Sequence, residues 1–301
     1  MTIITRYAKY FLIVPAAISL VALLALALWG LKPGIDLSGG SLLQVSFPGG
    51  RPAVTEVQKV VATLPIGEVR VQPTGDSAYM LRERNLTPDE KNTLEVALQA
   101  LGPIHEDQFN SVGPVIGREL LHKGLVALGL VAISIILFIA FAFRKVSKPV
   151  ASWKYGIIAI ITLIHDILIP TGLFAVLGHF KGSEVDSLFI VALLTLLGVS
   201  INNTIVVFDR IRENLRRNEE YRKKEPFNET VGHSIVQTLT RSINTSLTVV
   251  IVLAALYALG PLTTKDFSLT LIVGMVAGTY SSIFLASPLL VVWERWSVRR
   301  R

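Results

Sequence analysis

The chain of 301 residues consists mainly of long apolar runs separated by shorter polar segments. A helix needs about 20 apolar residues to cross the hydrocarbon core of a bilayer, so runs of this length predict transmembrane helices. The first run is long for a signal peptide and no Ala-x-Ala cleavage site closes it, which predicts an uncleaved anchor. Six runs qualify, at residues 11–31, 124–143, 155–177, 185–208, 242–259 and 267–293.

The polar stretch between the first two runs carries alternating and helical patterns in a defined order. A capping box at Thr87-Pro88-Asp89-Glu90 marks the start of its second helix. The order β-α-β-β-α-β is that of the ferredoxin-like fold. The predicted elements are a strand at 41–47, a helix at 52–64, strands at 68–72 and 78–82, a helix from 88 to about 100 and a strand at 104–110.

The last of these strands holds His105, Glu106 and Asp107 side by side. Adjacent residues on a strand point to opposite faces, so these three side chains would not converge on one substrate. They therefore predict a solvated edge and not a catalytic set.

Composition and charge narrow the class of protein further. Apolar residues make up 51% of the chain and charged residues 17%, whereas globular domains average about 25% charged. Zero cysteines exclude a disulfide framework, a zinc–thiolate site, an iron–sulfur cluster and a cysteine nucleophile. The net charge of +7 is uneven, since residues 32–122 hold 8 Lys/Arg against 11 Asp/Glu and the rest hold 21 (29 − 8) against 11 (22 − 11). This pattern favours membrane topology over nucleic-acid binding.

The positions of the basic residues predict the orientation, because cytoplasmic flanks are enriched in Lys and Arg. The short connections on the opposite side offer Lys181 and Lys265. Both termini are therefore predicted to be cytoplasmic, with residues 32–122 in the periplasm or outside the membrane. The basic side carries Arg6, Lys9, Arg144, Lys145, Lys148, Lys154, Arg210, Arg212, Arg216, Arg217, Arg222, Lys223, Lys224, Arg241, Arg295, Arg299, Arg300 and Arg301.

The fold class predicted is a polytopic α-helical membrane protein with six transmembrane helices and one exported α+β, ferredoxin-like (βαββαβ) domain. Residues 1–31 form a cytoplasmic N-terminus and the first transmembrane helix, and residues 32–122 form the exported domain. Residues 123–301 form a five-helix transmembrane region with a cytoplasmic loop at 209–241 and a cytoplasmic C-terminus. The charged part of that loop, residues 209–229, predicts a solvated amphipathic linker helix, with contact to a partner as the alternative.

Ionisable groups inside spans are costly, about 2.5–3.5 kcal/mol at a helix centre, so each is a functional hypothesis. His165 and Asp166 lie near the middle of the third span. They predict proton handling or gating, with a structural acid that bonds to another helix as the equal alternative.

Two polar faces lie toward the predicted cytoplasmic ends of the fourth and fifth spans. Ser200, Asn203 and Thr204 share one face of the fourth span. Arg241 begins a stripe on the fifth span that continues through Asn244, Thr245 and Thr248. The two faces can meet in a hydrogen-bond network, and the alternative is helix packing with a snorkelling Arg241.

The first span is followed by a glycine-rich segment. Gly34, Gly39 and Gly40 permit left-handed or closely packed backbone, and Asp36 could accept backbone hydrogen bonds there. The segment predicts a structural hinge. It lacks the Gly-Lys-Ser/Thr ending of a phosphate loop, so no nucleotide site is predicted.

Five segments together resemble the motifs of one family. They are residues 34–40 (GIDLSGG against G-x-D-F-x-G-G), residues 111–117 (SVGPVIG against V-G-P-x-x-G), His165-Asp166 (H-D), residues 198–214 (GVSINNTIVVFDRIREN against GYSINDTVVVFDRIREN) and residues 241–246 (RSINTS). The set is similar to the SecF family, the smaller half of the SecDF protein-export factor and a relative of the resistance-nodulation-division transporters. The resemblance spans essentially the whole chain.

The resemblance implies a function in bacterial protein export at the cytoplasmic (inner) membrane. The implied partners are SecD, the SecYEG translocon, a YajC-type auxiliary subunit, unfolded exported polypeptide and the lipid bilayer, with no nucleic acid. The chain would use the proton-motive force at a late, ATP-independent stage and would not be an enzyme. Protons would be the coupling ion, with no cofactor and no metal. The implied relay residues are Asn203, Arg241, Asp166 and His165, supported by Ser200, Asn202, Thr204, Asn244 and Thr245.

Asn203 departs from the family pattern, which has aspartate there. An amide copies the shape and part of the hydrogen bonding of a protonated carboxyl but cannot release a proton. Either the substitution freezes a protonated-like state, which the otherwise matching motif favours, or this homologue carries protons elsewhere. Proton-dependent export by this chain is then expected to be weak.

Two other functions stay open from the sequence. One is a non-transporting scaffold or chaperone subunit of the translocon, which the loss of a titratable group at Asn203 supports. The other is half of a small-molecule or lipid exporter of the wider superfamily. Proton dependence separates the first alternative from a motor, and the type of substrate separates the second.

Overall fold

The computed structural model describes residues 7–142 and 151–299. The described residues form two compact units, one of residues 33–125 with 185–187 and one of the remainder. In chain order the elements are α1 (Ala8–Phe11), α2 (Ile13–Trp29), α3 (Ile35–Ser38), β1 (Gly40–Ser46), α4 (Val54–Ala62), β2 (Arg70–Thr74), β3 (Ala78–Glu83), α5 (Pro88–Gln99), β4 (His105–Val112), α6 (Pro114–Ala142), α7 (Ser152–Phe180), α8 (Ser187–Glu220), α9 (Phe227–Leu259), α10 (Leu262–Ser281), a π-helical segment (Ser282–Ala286) and α11 (Ser287–Arg299).

The prediction of a polytopic helical membrane protein is confirmed. Within residues 7–142 and 151–299, six helical stretches are long and apolar enough to cross a membrane. Some predicted features lie outside the described residues, namely residue 143 at the end of the second span and the basic residues Arg6, Arg144, Lys145, Lys148, Arg300 and Arg301. The six stretches are Ala8–Trp29, Pro114–Ile139, Trp153–Phe180, Ser187–Glu220, Phe227–Leu259 and Thr263–Ser297.

Within the predicted cytoplasmic loop at 209–241, the linker helix predicted at 209–229 is present as far as Glu220, as a continuation of the fourth span. Helix α8 continues without a break to Glu220, and α9 already begins at Phe227. Asn214 on α8 bonds Ser234 on α9 at 2.8 Å, so the two helices pack against each other beyond the apolar run. The predicted loop is therefore mostly helical, with a short connection at residues 221–226.

The α+β unit contains a four-stranded sheet in the order β2-β3-β1-β4. All three strand pairs are antiparallel. Each predicted strand and helix of this region is present, with shifted ends. The capping box is formed, since the Glu90 amide donates to Thr87 Oγ1 at 3.3 Å and the Thr87 amide donates to Glu90 Oε2 at 2.9 Å. The core side chains are fully or almost fully buried and include Leu43, Val45, Phe47, Val57, Val61, Tyr79, Leu81, Leu94 and Leu98.

The edge strand β4 separates Glu106 from His105 and Asp107, as expected from the alternation of side chains along a strand. Glu106 accepts from Lys91 Nζ at 2.6 Å. Asp107 instead accepts from Ser46 Oγ at 2.9 Å, and it lies 3.1 Å from the exposed His105 ring. The side chains of Glu106 and Asp107 therefore have different partners.

Close packing in the helical unit depends on glycines at helix crossings. A Cβ atom built on Gly172 of α7 would lie 2.5 Å from Ala22 Cβ and 2.6 Å from Ala22 Cα on α2. A Cβ atom on Gly274 of α10 would lie 2.2 Å from the Leu196 side chain on α8. Glycine at these two positions allows the helices to approach more closely than side chains would permit.

Glu83, at the end of β3, is a buried carboxyl in the α+β unit. Its exposed fraction is 7%, and within the described residues neither carboxyl oxygen has a hydrogen-bond partner. Burial raises the pKa of Glu83 from 4.5 to about 8, because the charged form loses its hydration. Glu83 pairs across the sheet with Ser41, close to the start of β1.

This burial predicts that the sheet loses stability as the pH rises. Above pH 4.5 the unfolded state releases a proton that the folded state keeps until about pH 8, so the free energy of unfolding should fall by up to about 1 kcal/mol per pH unit. Glu83→Gln should remove this dependence, and the exposed Glu68→Gln should keep it. Hydrogen exchange of the β1 and β3 amides in the full chain, corrected for intrinsic rates, measures the effect. An unchanged pH dependence in Glu83→Gln would contradict it.

Candidate functional site in the membrane-spanning helices

Asp166 lies at the midpoint of α7, 14 residues from either end (152 to 166 and 166 to 180). At 1.5 Å per residue this is about 21 Å from each end of the helix. The side chain is 1% exposed, and one carboxyl oxygen lies 2.9 Å from Nδ1 of His165. The other oxygen accepts a hydrogen bond from Ser200 Oγ on α8. A buried carboxyl group thus bridges the third and fourth spans.

The surrounding helices make room for this carboxyl. Gly278 of α10 faces it, since a Cβ atom there would lie 3.2 Å from Ser200 Oγ and 3.5 Å from Asp166 Oδ2. Pro170 lies four residues after Asp166 inside α7 and has no amide hydrogen to donate to the Asp166 carbonyl. The Asp166 side chain therefore lies opposite a residue without a side chain. Its main-chain carbonyl lacks the usual helical hydrogen-bond donor.

His165 and Thr204 add buried polar atoms to the same helix pair. Within the described residues, His165 Nε2 and Thr204 Oγ1 are buried and have no hydrogen-bond partner. His165 itself is 4% exposed and Thr204 1%. Buried polar atoms without partners are rare in proteins and call for an explanation such as a water molecule or a functional role.

Asn203 lies on the same buried face of α8 as Ser200, one turn further along the helix. Its side chain is 4% exposed, and its Nδ2 lies 3.5 Å from Ser246 Oγ on α9. Ser246 Oγ in turn lies 2.6 Å from Thr279 Oγ1 on α10. Asn203 therefore contacts a neutral hydroxyl group of α9, and that hydroxyl is in turn bonded by a hydroxyl of α10.

The Asn203 contact is one end of a longer row, which we call the α8–α9 polar row. Asn203 faces Ser246, Asn214 donates to Ser234 at 2.8 Å, and Asn218 donates to Thr230 Oγ1 at 3.1 Å. The hydroxyl residues of α9 in this row are buried and repeat every four residues. They are Thr230, Ser234, Thr238, Ser242 and Ser246.

Sequence reasoning missed this row, although its signal is present. Ser or Thr recurs at five positions, each four residues after the last, from 230 to 246, a spacing that places small polar groups on one helix face. Ser246 was missed as the partner of Asn203, and Thr279 as the partner of Ser246. Asn202, Asn244 and Thr245 are exposed in the chain, so they do not belong to the contacts around Asn203.

Arg241 is also exposed, and it lines a cleft between α8 and α9. The cleft contains charges of both signs, including Asp209, Arg210 and Glu213. Arg210 donates to Glu213 at 2.6 Å. Within the chain, the predicted arginine therefore lies beside surface charges, and the neighbours of Asn203 come from the hydroxyl residues of the α8–α9 polar row.

The glycine-rich segment lies in the α+β unit. Gly39 and Gly40 have φ angles of +79° and +144°, in the region that favours glycine. Gly34 donates its amide to the Val185 carbonyl at 2.8 Å. Asp36 accepts from the side chain of Ser187 at 2.6 Å, so the predicted hinge carries specific long-range contacts.

The buried polar face of α7 and α8 contains one carboxyl group that can release a proton and one amide that cannot. Asp166 is an ionisable carboxyl connected through Ser200 to the fourth span, and an amide stands at 203 where it cannot release a proton. A group of three or more His, Cys, Asp or Glu residues that could hold a metal ion is not found within residues 7–142 and 151–299.

Comparison with known proteins identifies relatives along almost the whole chain. The family described as Protein export membrane protein SecD/SecF, C-terminal, matches residues 93–296. A Protein translocase subunit SecF from Thermobaculum terrenum is 44% identical, covering 96% of this chain and 92% of that protein. A subunit of the same name from Anaerolinea thermophila is 40% identical, covering 94% of this chain and 91% of that protein.

A solved structure of a protein from the same export system is also similar to this chain. The crystal structure of SecDF, described as a translocon-associated membrane protein from Thermus thermophilus, matches with a TM-score of 0.82 and 29% identity. The match covers 97% of this chain but only 38% of that chain. The similarity therefore accounts for one part of a longer protein.

Proposed function

This chain belongs to the SecF family of protein translocase subunits, and we propose that it uses the proton-motive force to promote a late, ATP-independent stage of protein export. It is an accessory subunit of the Sec translocase and a transport factor. Under this proposal it is not an enzyme and has no nucleotide site, so ATP hydrolysis would belong to a partner. The coupling ion is the proton, with no other cofactor.

The proposed partners follow from the longer relatives. SecDF contains additional chain beyond the part that matches here, and we assign that remainder to a SecD subunit beside this chain. The polar residues Arg241, Asn244 and Thr245 are exposed on the chain alone, and polar side chains in a span usually face other protein. This exposure supports a covering subunit. The SecYEG translocon, a YajC-type subunit and unfolded polypeptide complete the proposed assembly.

The proposed location is the bacterial inner membrane, with both termini in the cytoplasm and residues 32–122 outside. The distribution of Lys and Arg beside the spans supports this orientation. We infer a ferredoxin-like fold for the exported domain, supported by the antiparallel order β2-β3-β1-β4 with one helix after β1 and another after β3. In the proposed mechanism this domain holds emerging polypeptide.

The single observation that carries the proposed mechanism is the buried carboxyl of Asp166 between α7 and α8. A carboxyl at this depth is expensive, and intramembrane acids commonly mark proton relays. Asp166 and His165 are the ionisable pair of the site, and Ser200 connects them to α8. Asn203, with its contact to Ser246, imitates a protonated carboxyl one turn away.

The test is proton flux into proteoliposomes that contain this chain and a SecD partner, with and without unfolded polypeptide. Asn203→Asp should raise the flux about tenfold, because a carboxyl at this position can release the proton that the amide cannot. Asn202→Asp is the matched control, since Asn202 is the neighbouring amide but is exposed. It should leave the flux unchanged.

Each outcome separates the alternatives. Flux in the Asn203→Asp variant alone identifies position 203 as a proton carrier that the amide blocks. Equal and strong flux in both forms contradicts a blocked site and places the path at Asp166 or in the partner. The absence of flux in both forms contradicts the motor and supports a scaffold subunit, which the neutral side chain at 203 favours.

A further inference from the structure

The segment of residues 33–40, here called the junction segment, binds the residues at the start of α8. Pro33 forms an isolated parallel bridge with Val185, and the Gly34 amide donates to the Val185 carbonyl at 2.8 Å. Asp36 Oδ2 accepts from Ser187 Oγ at 2.6 Å and lies 3.4 Å from the Ser187 amide. Ser187 is the first residue of α8, so the Asp36 carboxylate satisfies a helix-terminal donor from 151 residues away.

The same segment is in close contact with the start of α6. A Cβ atom on Gly117 would lie 2.6 Å from the Gly39 nitrogen, and one on Gly39 would lie 2.5 Å from Pro114 Cα. These are backbone contacts, which leave no room for a side chain. Residues 34–40 and 111–117 are two of the segments that resemble family motifs. Their glycines therefore pack against each other.

The junction segment is also continuous with the sheet. Gly40 is the first residue of β1, and β1 is a central strand that pairs with both β3 and β4. In the other direction, α8 runs unbroken from Ser187 to Ser200, 13 residues or about 20 Å along the helix. Asp36 thus contacts one end of the helix that carries the buried polar face, and it lies four residues before the sheet.

We propose that Asp36 is a positioning residue that couples α8 to β1, so that a change at the polar face of α8 alters the α+β unit through the Asp36–Ser187 contact. This inference rests on the proposed function, since it names the element that transmits the change. The carboxylate acts through Ser187, the first residue of α8, which it holds at the segment that leads into the sheet.

The alternative is a helix cap that stabilises the fold and transmits nothing. A cap of this kind stabilises a helix, so a loss of stability in Asp36→Ala would fit both explanations. The two explanations differ in whether a substitution at Asn203, in the middle of α8, changes β1, and in whether that change needs Asp36.

The experiment measures hydrogen exchange of residues 33–46 in the full chain at one pH, with the SecD partner present. Asn203→Asp alone should change the exchange rate of this segment about twofold or more. In the double variant Asn203→Asp/Asp36→Ala, this response should disappear. Asp76→Ala is the matched control, because Asp76 is an exposed aspartate in the same unit, and the response should persist with it.

Ser187 supplies the rescue test. Ser187→Ala removes the hydroxyl that donates to Asp36 and should reduce the response, while Ser187→Thr keeps a hydroxyl and should retain it. A plain cap would give the same response to Asn203→Asp in all backgrounds. Equal responses with Asp36 and with alanine at 36, or no response in the single variant, would overturn the proposal.

Failure of this inference can be told from failure of the proposed function. Proton flux in Asn203→Asp without any response at residues 33–46 overturns the coupling and leaves the motor. A response at residues 33–46 without flux supports the coupling and contradicts the motor. The two measurements use the same protein preparations.

Discussion

Asp166→Asn is expected to lower proton flux about tenfold or more, both in the unchanged chain and in the Asn203→Asp variant. Asparagine keeps the size of the side chain and its hydrogen-bonding capacity toward His165 and Ser200, but it has no proton to release. The measurement is flux into proteoliposomes that contain the SecD partner. Export of unfolded polypeptide under a proton gradient should fall by a similar factor.

A second substitution at Asp166 separates proton handling from a structural role. If the carboxyl only joins α7 to α8, Asp166→Asn should keep most activity and Asp166→Ala should lose it together with thermal stability. If the carboxyl carries a proton, both variants should be inactive. Thr171→Val is a control for disturbance of α7, because the bond that the Thr171 hydroxyl makes among the described residues is to the Ile167 carbonyl of its own helix, at 2.6 Å. An active Asp166→Asn would remove Asp166 from the proton path.

The fold was predictable where one local physical rule decides the structure. Bilayer thickness sets the length of an apolar run, so the six spans follow from hydropathy alone. The Thr87–Glu90 capping box fixed the start of α5, because its hydrogen bonds lie within four residues. The ends of the predicted linker helix at 209–229 do not follow from such rules, because α8 and α9 continue past the apolar runs through the contacts of the α8–α9 polar row.

The candidate site was less predictable, because it depends on how each helix is rotated about its axis. Arg241, Asn244 and Thr245 form the more polar stripe of α9, yet they are exposed, and Ser246 faces Asn203 instead. The rotation of α9 about its axis is set by burial of the face that carries Ser246. When two polar stripes have similar spacing, polarity alone does not predict which of them is buried.

Contacts between residues far apart in the chain were equally difficult to predict from the sequence. Asp36 was expected to accept hydrogen bonds near the glycines, but its partner, Ser187, lies 151 positions later. Local spacing carries no information about such a pair. The close backbone approach of Gly39 to Pro114 explains why glycine is needed there, which spacing could only suggest.

Gly172→Ala is expected to destabilise the helical unit by about 1–3 kcal/mol. The added Cβ atom would lie 2.5 Å from Ala22 Cβ, 2.6 Å from Ala22 Cα and 2.9 Å from the Ala22 carbonyl oxygen. Two of these three are backbone atoms, which cannot move without shifting α2 away from α7. The apparent melting temperature of the full chain in detergent, followed by tryptophan fluorescence, should fall by about 5 °C.

Gly129→Ala is the matched control, because among residues 7–142 and 151–299 nothing beyond the helix's own adjacent backbone lies within 4 Å of a Cβ atom at Gly129 in α6. Alanine has a higher helix propensity than glycine by about 1 kcal/mol, so this variant should be as stable as the unchanged chain or more stable. Equal melting temperatures for the two variants would contradict tight packing between α2 and α7. Because Gly172 lies six residues after Asp166 on α7, the destabilised variant should also lose proton flux if the position of Asp166 depends on that packing.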